Sequence, residues 1–278
     1  MSRSQRDLLR LYGIRPVKRR GQHFLIDGNL ARWLAHRTMD LGTDVLELGA
    51  GAGALTAPLL AMGARVTALE VDHRLCALLE QEYGESTNLR VVAADLAQLD
   101  WRLQLAAVGP RPVVAGNLPY VMTSTVLFAL ADLRERLAGA VLMVQKEVAG
   151  RLTSVAGSKE YGVLAVLLGS LFTIEVIRQV PATVFWPRPE VASAVVRLLP
   201  AASWRESEYR DFRQVVKTLF GKRRKQLGTL LRAEYGMNNE AMAELARATG
   251  VDLVVRPEQL TADQLRSLVR ALKRRERT

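Results

Sequence analysis

Asp44-Val45-Leu46-Glu47-Leu48-Gly49-Ala50-Gly51-Ala52-Gly53-Ala54 decides the fold. Its first five residues are mostly apolar and read as a short strand. Three alternate glycines then let the backbone turn sharply and come close to a ligand. Apolar residues at helical spacing follow over 54–62. Strand, glycine-rich turn and helix, in that order, open a nucleotide-binding βαβ unit. Working outward, 65–70 reads as a second strand ending at Glu70, and 73–83 as a helix. A third strand is expected over 89–94, closing at Asp95, a fourth over 112–115 and a fifth over 139–144. Strands spaced by helical stretches imply a parallel, doubly wound α/β sheet. The runs 173–180 and 192–199 are extended with no helix signal between them, and are expected to close the sheet as a partly antiparallel pair. The apolar run 161–172 falls short of the ~18 residues a membrane span requires and reads as a buried helix.

Past Pro200 the pattern changes. The stretches 210–220, 222–235, 239–249 and 261–275 carry apolar residues at helical spacing. Thr261 with Asp263 and Gln264 supplies an N-terminal capping signal, and Gly236 and Gly250 fall where helices end. Three segments result: a basic N-terminal stretch 1–22, an α/β domain 23–202 and an all-helical domain 203–278.

The 278 residues are 49% hydrophobic, enough for one large core and a smaller module. Net charge is +11, and it lies in the ends. Residues 1–22 hold seven Lys/Arg against one acid, for +6; residues 203–278 hold seventeen against ten, for +7; the stretch between is −2. A near-neutral body with basic ends is the footprint of a protein that grips a polyanion. The N-terminus carries Arg3, Arg6 and Arg10 without the apolar stretch of a secretory signal. One cysteine, Cys76, gives no internal disulfide framework, and with three scattered histidines it makes no usual zinc site. The chain reads as cytoplasmic, reduced and metal-free.

Glu70 is placed to accept hydrogen bonds from ribose hydroxyls. Taken alone this is ambiguous, because Gly49, Gly51 and Ala54 with that acid also satisfy the dinucleotide fingerprint of hydride-transfer enzymes. Two further features separate the alternatives. Asp95 can accept from an adenine amino group, which S-adenosylmethionine binding needs and NAD binding does not require. Asn117-Leu118-Pro119-Tyr120, after the fourth strand, is then left for a second adenine. Asn117 offers an amide oxygen to an exocyclic amine, Pro119 stiffens the loop, and Tyr120 offers a flat face for stacking. A strand-to-helix turn with a capping Asn is the competing reading of that tetrapeptide.

Together with other ordered motifs, these residues resemble the rRNA adenine N6-dimethyltransferase family, most nearly its bacterial small-subunit branch. The resemblance runs from about 18 to 270. It includes Gly21-Gln22-His23-Phe24-Leu25, Val144-Gln145-Lys146-Glu147-Val148, Tyr161-Gly162-Val163-Leu164, Phe185-Trp186-Pro187-Arg188-Pro189 and Phe220-Gly221-Lys222-Arg223-Arg224-Lys225. It implies a Rossmann-like S-adenosylmethionine-dependent methyltransferase sheet with a small all-helical C-terminal domain. The implied partner is small-subunit rRNA or a pre-30S ribosomal particle, met by a monomer during ribosome biogenesis. The implied reaction is dimethylation of two adjacent adenosines in a 3′-terminal hairpin loop. His23 and Leu25 would then contact the cofactor's methionine end, with Gly49 and Gly51 lining its bed. Glu70 would hold its ribose, Asp95 its adenine, and Asn117 would border cofactor and substrate. The Leu118 carbonyl would accept a second amine hydrogen, while Tyr120 and Phe185 would sandwich the target base. RNA would meet Arg15, Lys18, Arg19 and Arg20 at one end and Lys222, Arg223, Arg224 and Lys225 at the other.

The chain departs from the family pattern at His23, where many members carry Asn, at Arg188, where successive prolines are usual, and at Ala192, where Asp is common. Two alternatives accompany this reading. A large-subunit methyltransferase of the antibiotic-resistance type shares the sheet motifs, but 220–225 favours the small-subunit branch. A nucleic-acid-binding relative with vestigial activity is disfavoured by intact Glu70, Asp95 and Asn117.

Overall fold

The structure, a computed structural model, describes residues 4–17, 21–201, 204–222 and 224–275. Its strands are β1 (Phe24–Leu25), β2 (Asp44–Leu48), β3 (Arg65–Glu70), β4 (Leu89–Ala93), β5 (Val113–Asn117), β6 (Gly139–Gln145), β7 (Phe172–Val180), β8 (Phe185–Trp186) and β9 (Ser193–Pro200). Seven of them form one sheet in the order β4-β3-β2-β5-β6-β9-β7, and β1 pairs with β8 in a separate ribbon. The neighbours from β4 to β6 run parallel, and β9 is antiparallel to β6. The chain moves outward from β2 to β4 and then returns to place β5 on the other side of β2. That reversal opens a crevice beyond the carboxyl ends of β2 and β5, where open α/β sheets bind ligands.

Continuous apolar runs make these central strands, because helices cover both faces. The side chains of Leu46, Leu48, Val113, Val114 and Leu142 are fully buried, and each is worth about 1.5–3 kcal/mol of apolar burial. Helix Gly28–Met39 lays Leu30, Ala31, Leu34 and Ala35 into a core with the alternate strand residues Val45, Ala115, Val141 and Met143. Aspartates start three of the helices. Asp27 accepts from the Asn29 and Leu30 amides at 2.8 and 3.0 Å, Asp72 from Arg74 at 3.1 Å and Asp100 from Leu103 at 3.0 Å. Each such cap is worth about 1 kcal/mol.

Contacts divide the chain into two compact units, Met1–Ala149 with Thr173–Pro200, and Gly150–Phe172 with Ala201–Thr278. Residues 150–172, read from sequence as part of the α/β domain, thus pack with the C-terminal helices. The reason is local. Helix Val163–Gly169 buries Ala165, Val166, Leu167 and Leu168 and has little polar face of its own. Helix Glu206–Phe220 covers it, Tyr161 meets Phe220 edge-on at 6.1 Å, and Trp204 Nε1 donates to the Ser170 carbonyl at 2.9 Å. The second unit also holds helices Leu227–Tyr235, Asn239–Thr249 and Ala262–Arg275. Gly236 and Gly250 end two of them at φ +60° and +67°. Thr261 and Gln264 cap the last reciprocally, at 2.9 and 3.2 Å.

One expected helix is shorter than its apolar spacing suggested. Lys222, Arg224 and Lys225 lie in the turn before Leu227–Tyr235 rather than on a helix running from 222. Arg223 lies outside the described residues, as do Lys18, Arg19 and Arg20.

Candidate active site

Beyond the carboxyl ends of β2, β3, β4 and β5 is a cavity of about 390 Å³, within the range of small-molecule and cofactor pockets. The glycine turn makes its floor. Gly51 adopts φ +59°, which side chains resist, and this points its amide at Glu70 Oε2, 2.9 Å away. Glu70 Oε1 accepts from the amides of Val71 and Asp72 at 2.9 and 3.0 Å. Burial pushes the Glu70 carboxyl above its ordinary pKa, and these three donors oppose the shift by favouring the charged form. Asp95 follows β4 and is exposed at the cavity wall, with Oδ1 accepting from the Ala97 amide at 2.9 Å.

Asn117 closes β5. Its Nδ2 donates to the His23 backbone carbonyl at 2.8 Å. A carbonyl can only accept, so the amide nitrogen must face it and Oδ1 is the atom left over for a ligand. His23 Nδ1 lies 2.7 Å from the Pro187 carbonyl and therefore carries the hydrogen. The His23 ring faces Tyr120 at 5.6 Å and 29°, and the Tyr120 hydroxyl meets Ser193 Oγ at 2.9 Å. Three segments far apart in sequence are thus tied together: the one entering β1, the loop after β5, and the loop between β8 and β9. The β1–β8 ribbon holds that arrangement by pairing Leu25 with Phe185 and Phe24 with Trp186. The Leu118 amide, bonded to the Met143 carbonyl at 3.1 Å, continues the β5–β6 ladder into the loop.

His23, Leu25, Gly49, Gly51, Glu70, Asp95, Asn117, Leu118 and Tyr120 all line the one cavity. Phe185 does not. Its ring is 3% exposed and belongs to the sheet's core beside Leu25 and Val180, and the ring that faces Tyr120 is His23. The expected Tyr120–Phe185 sandwich is corrected accordingly: a residue pairing in the ribbon with a buried leucine turns its side chain inward. Arg15, Lys222, Arg224 and Lys225 are exposed. Lys222 Nζ is paired with Glu234 Oε1.

Sequence reasoning missed three contributors. Gln5 lines the cavity from helix Gln5–Leu11, inside a segment read only for its positive charge. Ser193 holds Tyr120 from β9. Glu47 lines the cavity from β2, 2% exposed, and accepts from Thr56 Oγ1 at 2.6 Å. Desolvation pushes its pKa up from 4.5 to about 8, with Glu70 adding to the rise and Thr56 opposing it. An acid inside an otherwise apolar strand was the available signal.

The family described as ribosomal RNA adenine dimethylase matches residues 16–274 of this chain. The chain belongs to that family. Its relatives include the ribosomal RNA small subunit methyltransferase A of Anaeromyxobacter sp. (strain K), 42% identical over 97% of this chain and 98% of the relative. The protein of the same description from Chlorobium phaeobacteroides (strain BS1) is 38% identical over 92% and 93%. Among solved structures, a dimethyladenosine transferase from Plasmodium falciparum shares the fold, with TM-score 0.74, 22% identity and coverage of 91% of this chain and 98% of that one. The 23S rRNA methyltransferase ErmE superposes with TM-score 0.68 at 25% identity, covering 90% and 99%.

As an adenine dimethylase the protein is an S-adenosylmethionine-dependent enzyme, and the dinucleotide alternative falls away. The cavity fits that cofactor. It offers a buried carboxylate at the end of β3, an acceptor after β4, the apolar side chains of Val71 and Leu96 beside each, and a glycine floor that a backbone can approach closely. Among the described residues, no group of three or more His, Cys, Asp or Glu is placed to hold a metal ion, and no helix is long and apolar enough to cross a membrane.

Proposed function

We propose that this adenine dimethylase transfers methyl groups from S-adenosylmethionine to N6 of two adjacent adenosines in the 3′-terminal hairpin loop of small-subunit rRNA. The substrate is the rRNA within a pre-30S particle, met by a monomer in the cytoplasm. One observation carries the site reading. The Asn117 amide is locked by the His23 carbonyl so that its oxygen remains for a donor, beside the face of Tyr120 and at the sheet's crevice. The choice of RNA rests on the relatives described as small-subunit methyltransferases, which match this chain over nearly their whole length.

The N6 lone pair of adenine is delocalised into the ring, which makes the amine a poor nucleophile. Asn117 Oδ1 and the Leu118 carbonyl accept its two hydrogens and so favour a pyramidal nitrogen whose lone pair points along the transfer path. The bound cofactor supplies an already activated sulfonium methyl. Glu70 and Asp95 fix the ribose and adenine, and His23 and Leu25 border the methionine end. Orientation and fixed dipoles therefore supply the catalysis. Tyr120, braced by Ser193 and His23, presents a stacking face worth about 1–3 kcal/mol to a base that has left its own stack. A loop adenosine leaves more readily than a paired one. Phe185 supports this arrangement from behind through the β1–β8 ribbon.

Single-turnover methylation of undermodified small-subunit particles tests the proposal. The wild type should label adenine N6, and Asn117→Ala should slow transfer by about 10²-fold with RNA affinity nearly unchanged. A mutant that methylates normally, or fails only through lost RNA binding, contradicts the role. Label appearing on large-subunit rRNA instead would move the target.

A further inference from the structure

A nucleotide is tied to its neighbours by covalent bonds. A base resting on Tyr120 therefore brings the phosphates on either side of it, and the next base, to the surface around that ring. Three exposed residues belong to that surface. Val121 follows Tyr120, lines the same cavity and is 73% exposed, more than any other large apolar residue among those described. A turn holds its backbone: the Met122 amide donates to the Pro119 carbonyl at 2.8 Å, and Thr123 Oγ1 to the Tyr120 carbonyl at 3.1 Å.

Lys146 begins helix Lys146–Leu152 at the carboxyl end of β6. Gln145, just before it, stands opposite Ser193 in the β6–β9 ladder, and the Lys146 amide donates to the Ala192 carbonyl at 2.9 Å. The lysine thus adjoins the serine that holds the Tyr120 hydroxyl. Arg188 follows Pro187, whose carbonyl accepts from His23 Nδ1, and the His23 ring faces Tyr120. Prolines on both sides stiffen the segment that carries this arginine. Lys146 and Arg188 are both exposed, and among the described residues neither has an ion pair or a side-chain hydrogen bond. Glu147 follows Lys146 and Glu190 lies just past Arg188, so the patch carries little net charge. Its cations suit individual contacts, whereas long-range attraction falls to the basic ends. An exposed valine alone signifies nothing. Here aromatic, apolar and cationic groups surround one ring, which is how proteins hold single-stranded nucleic acid.

We propose that Lys146, Arg188 and Val121 form a subsite for the nucleotides flanking the target adenosine. The two cations contact the phosphates on either side of it, and Val121 supports the neighbouring base. The basic ends choose the RNA, and this rim sets which adenosine enters. The inference rests on the placement of the target adenosine over Tyr120, and the test separates the two.

Single-turnover methylation at saturating ribosomal particle, on whichever ribosomal RNA the wild type labels, tests it, with calorimetry of S-adenosylhomocysteine alongside. Lys146→Gln and Arg188→Gln should each slow transfer about threefold, and together about tenfold. The gap should narrow as salt is raised, because exposed charge contacts are screened. The exchanged pair, Lys146→Arg with Arg188→Lys, should keep most of the wild-type rate. Val121→Ser should slow transfer about threefold at every salt concentration. Cofactor affinity should not change in any of these variants. A wild-type rate in the double Gln variant overturns the phosphate contacts, and a wild-type rate in Val121→Ser overturns the base contact. A loss in the Gln variants that ignores salt, or that comes with weakened S-adenosylhomocysteine, also overturns the proposal, because a structural role would give it. If Tyr120→Ala transfers normally, the stacking assignment is what fails, and the rim is judged by its own variants.

Discussion

Glu47 and Glu70 lie on neighbouring parallel strands, both buried, and their surroundings set them different tasks. Glu70 is surrounded by backbone donors that favour its charge. Replacing it by Ala removes hydrogen bonds to a charged group, worth about 1.5–3 kcal/mol, so calorimetry should find S-adenosylmethionine bound roughly 10–100-fold more weakly. Unchanged affinity would remove Glu70 from the site. Glu47 has one hydroxyl donor and little water, and it holds its proton up to about pH 8. The folded protein then binds a proton that the unfolded chain gives up near pH 4.5, so stability is full below pH 4.5 and falls as pH rises toward 8. The whole window is worth on the order of 4 kcal/mol. Denaturant midpoints of the wild type should therefore drop between about pH 5 and 8, whereas Glu47→Gln, neutral at every pH, should lose most of that slope. Parallel curves for the two proteins would show that Glu47 is ionised in the fold.

At the scale of elements, the basic turn 221–226 carries the next expectation. Arg224 and Lys225 are exposed ahead of helix Leu227–Tyr235, and in a turn both can approach one phosphate strand. Replacing both by Ala should weaken rRNA binding and flatten the plot of log affinity against log salt by about 1.4–1.8, at 0.7–0.9 per phosphate contact. Cofactor affinity should stay as it was. An unaltered slope would show the turn to be a solvated surface. This element was misread as helix because apolar spacing from 227 onward was extended back into charges that have no apolar face. The five parallel strands were legible, since strands covered on both faces are continuous apolar runs. So were the capped N-terminus of helix Ala262–Arg275 and the glycine stops at 236 and 250, where single residues carry the signal. The strands β1 and β8 were not, because two residues have no period to read. Their pairing is a tertiary fact, and with it went the placement of Phe185. Helix Gln5–Leu11 was hidden by the arginines around it, and its buried leucines become meaningful only against helix His73–Tyr83.

For the whole molecule, the charge map and the site divide the labour of recognition. Most of the polar cavity residues come from strand ends of one unit, and the net positive charge lies in the two ends of the chain. Such a division implies that the chemistry is set by Asn117 and its braces, and the choice of RNA by surfaces elsewhere. The most direct measurement is mass spectrometry of ribosomal RNA from cells lacking this protein, complemented with either the wild type or Asn117→Ala. The account predicts that N6,N6-dimethyladenosine disappears from small-subunit rRNA, returns with the wild type and does not return with Asn117→Ala. Small-subunit rRNA that keeps its dimethyladenosine when the protein is absent, or that regains it with Asn117→Ala, would contradict it.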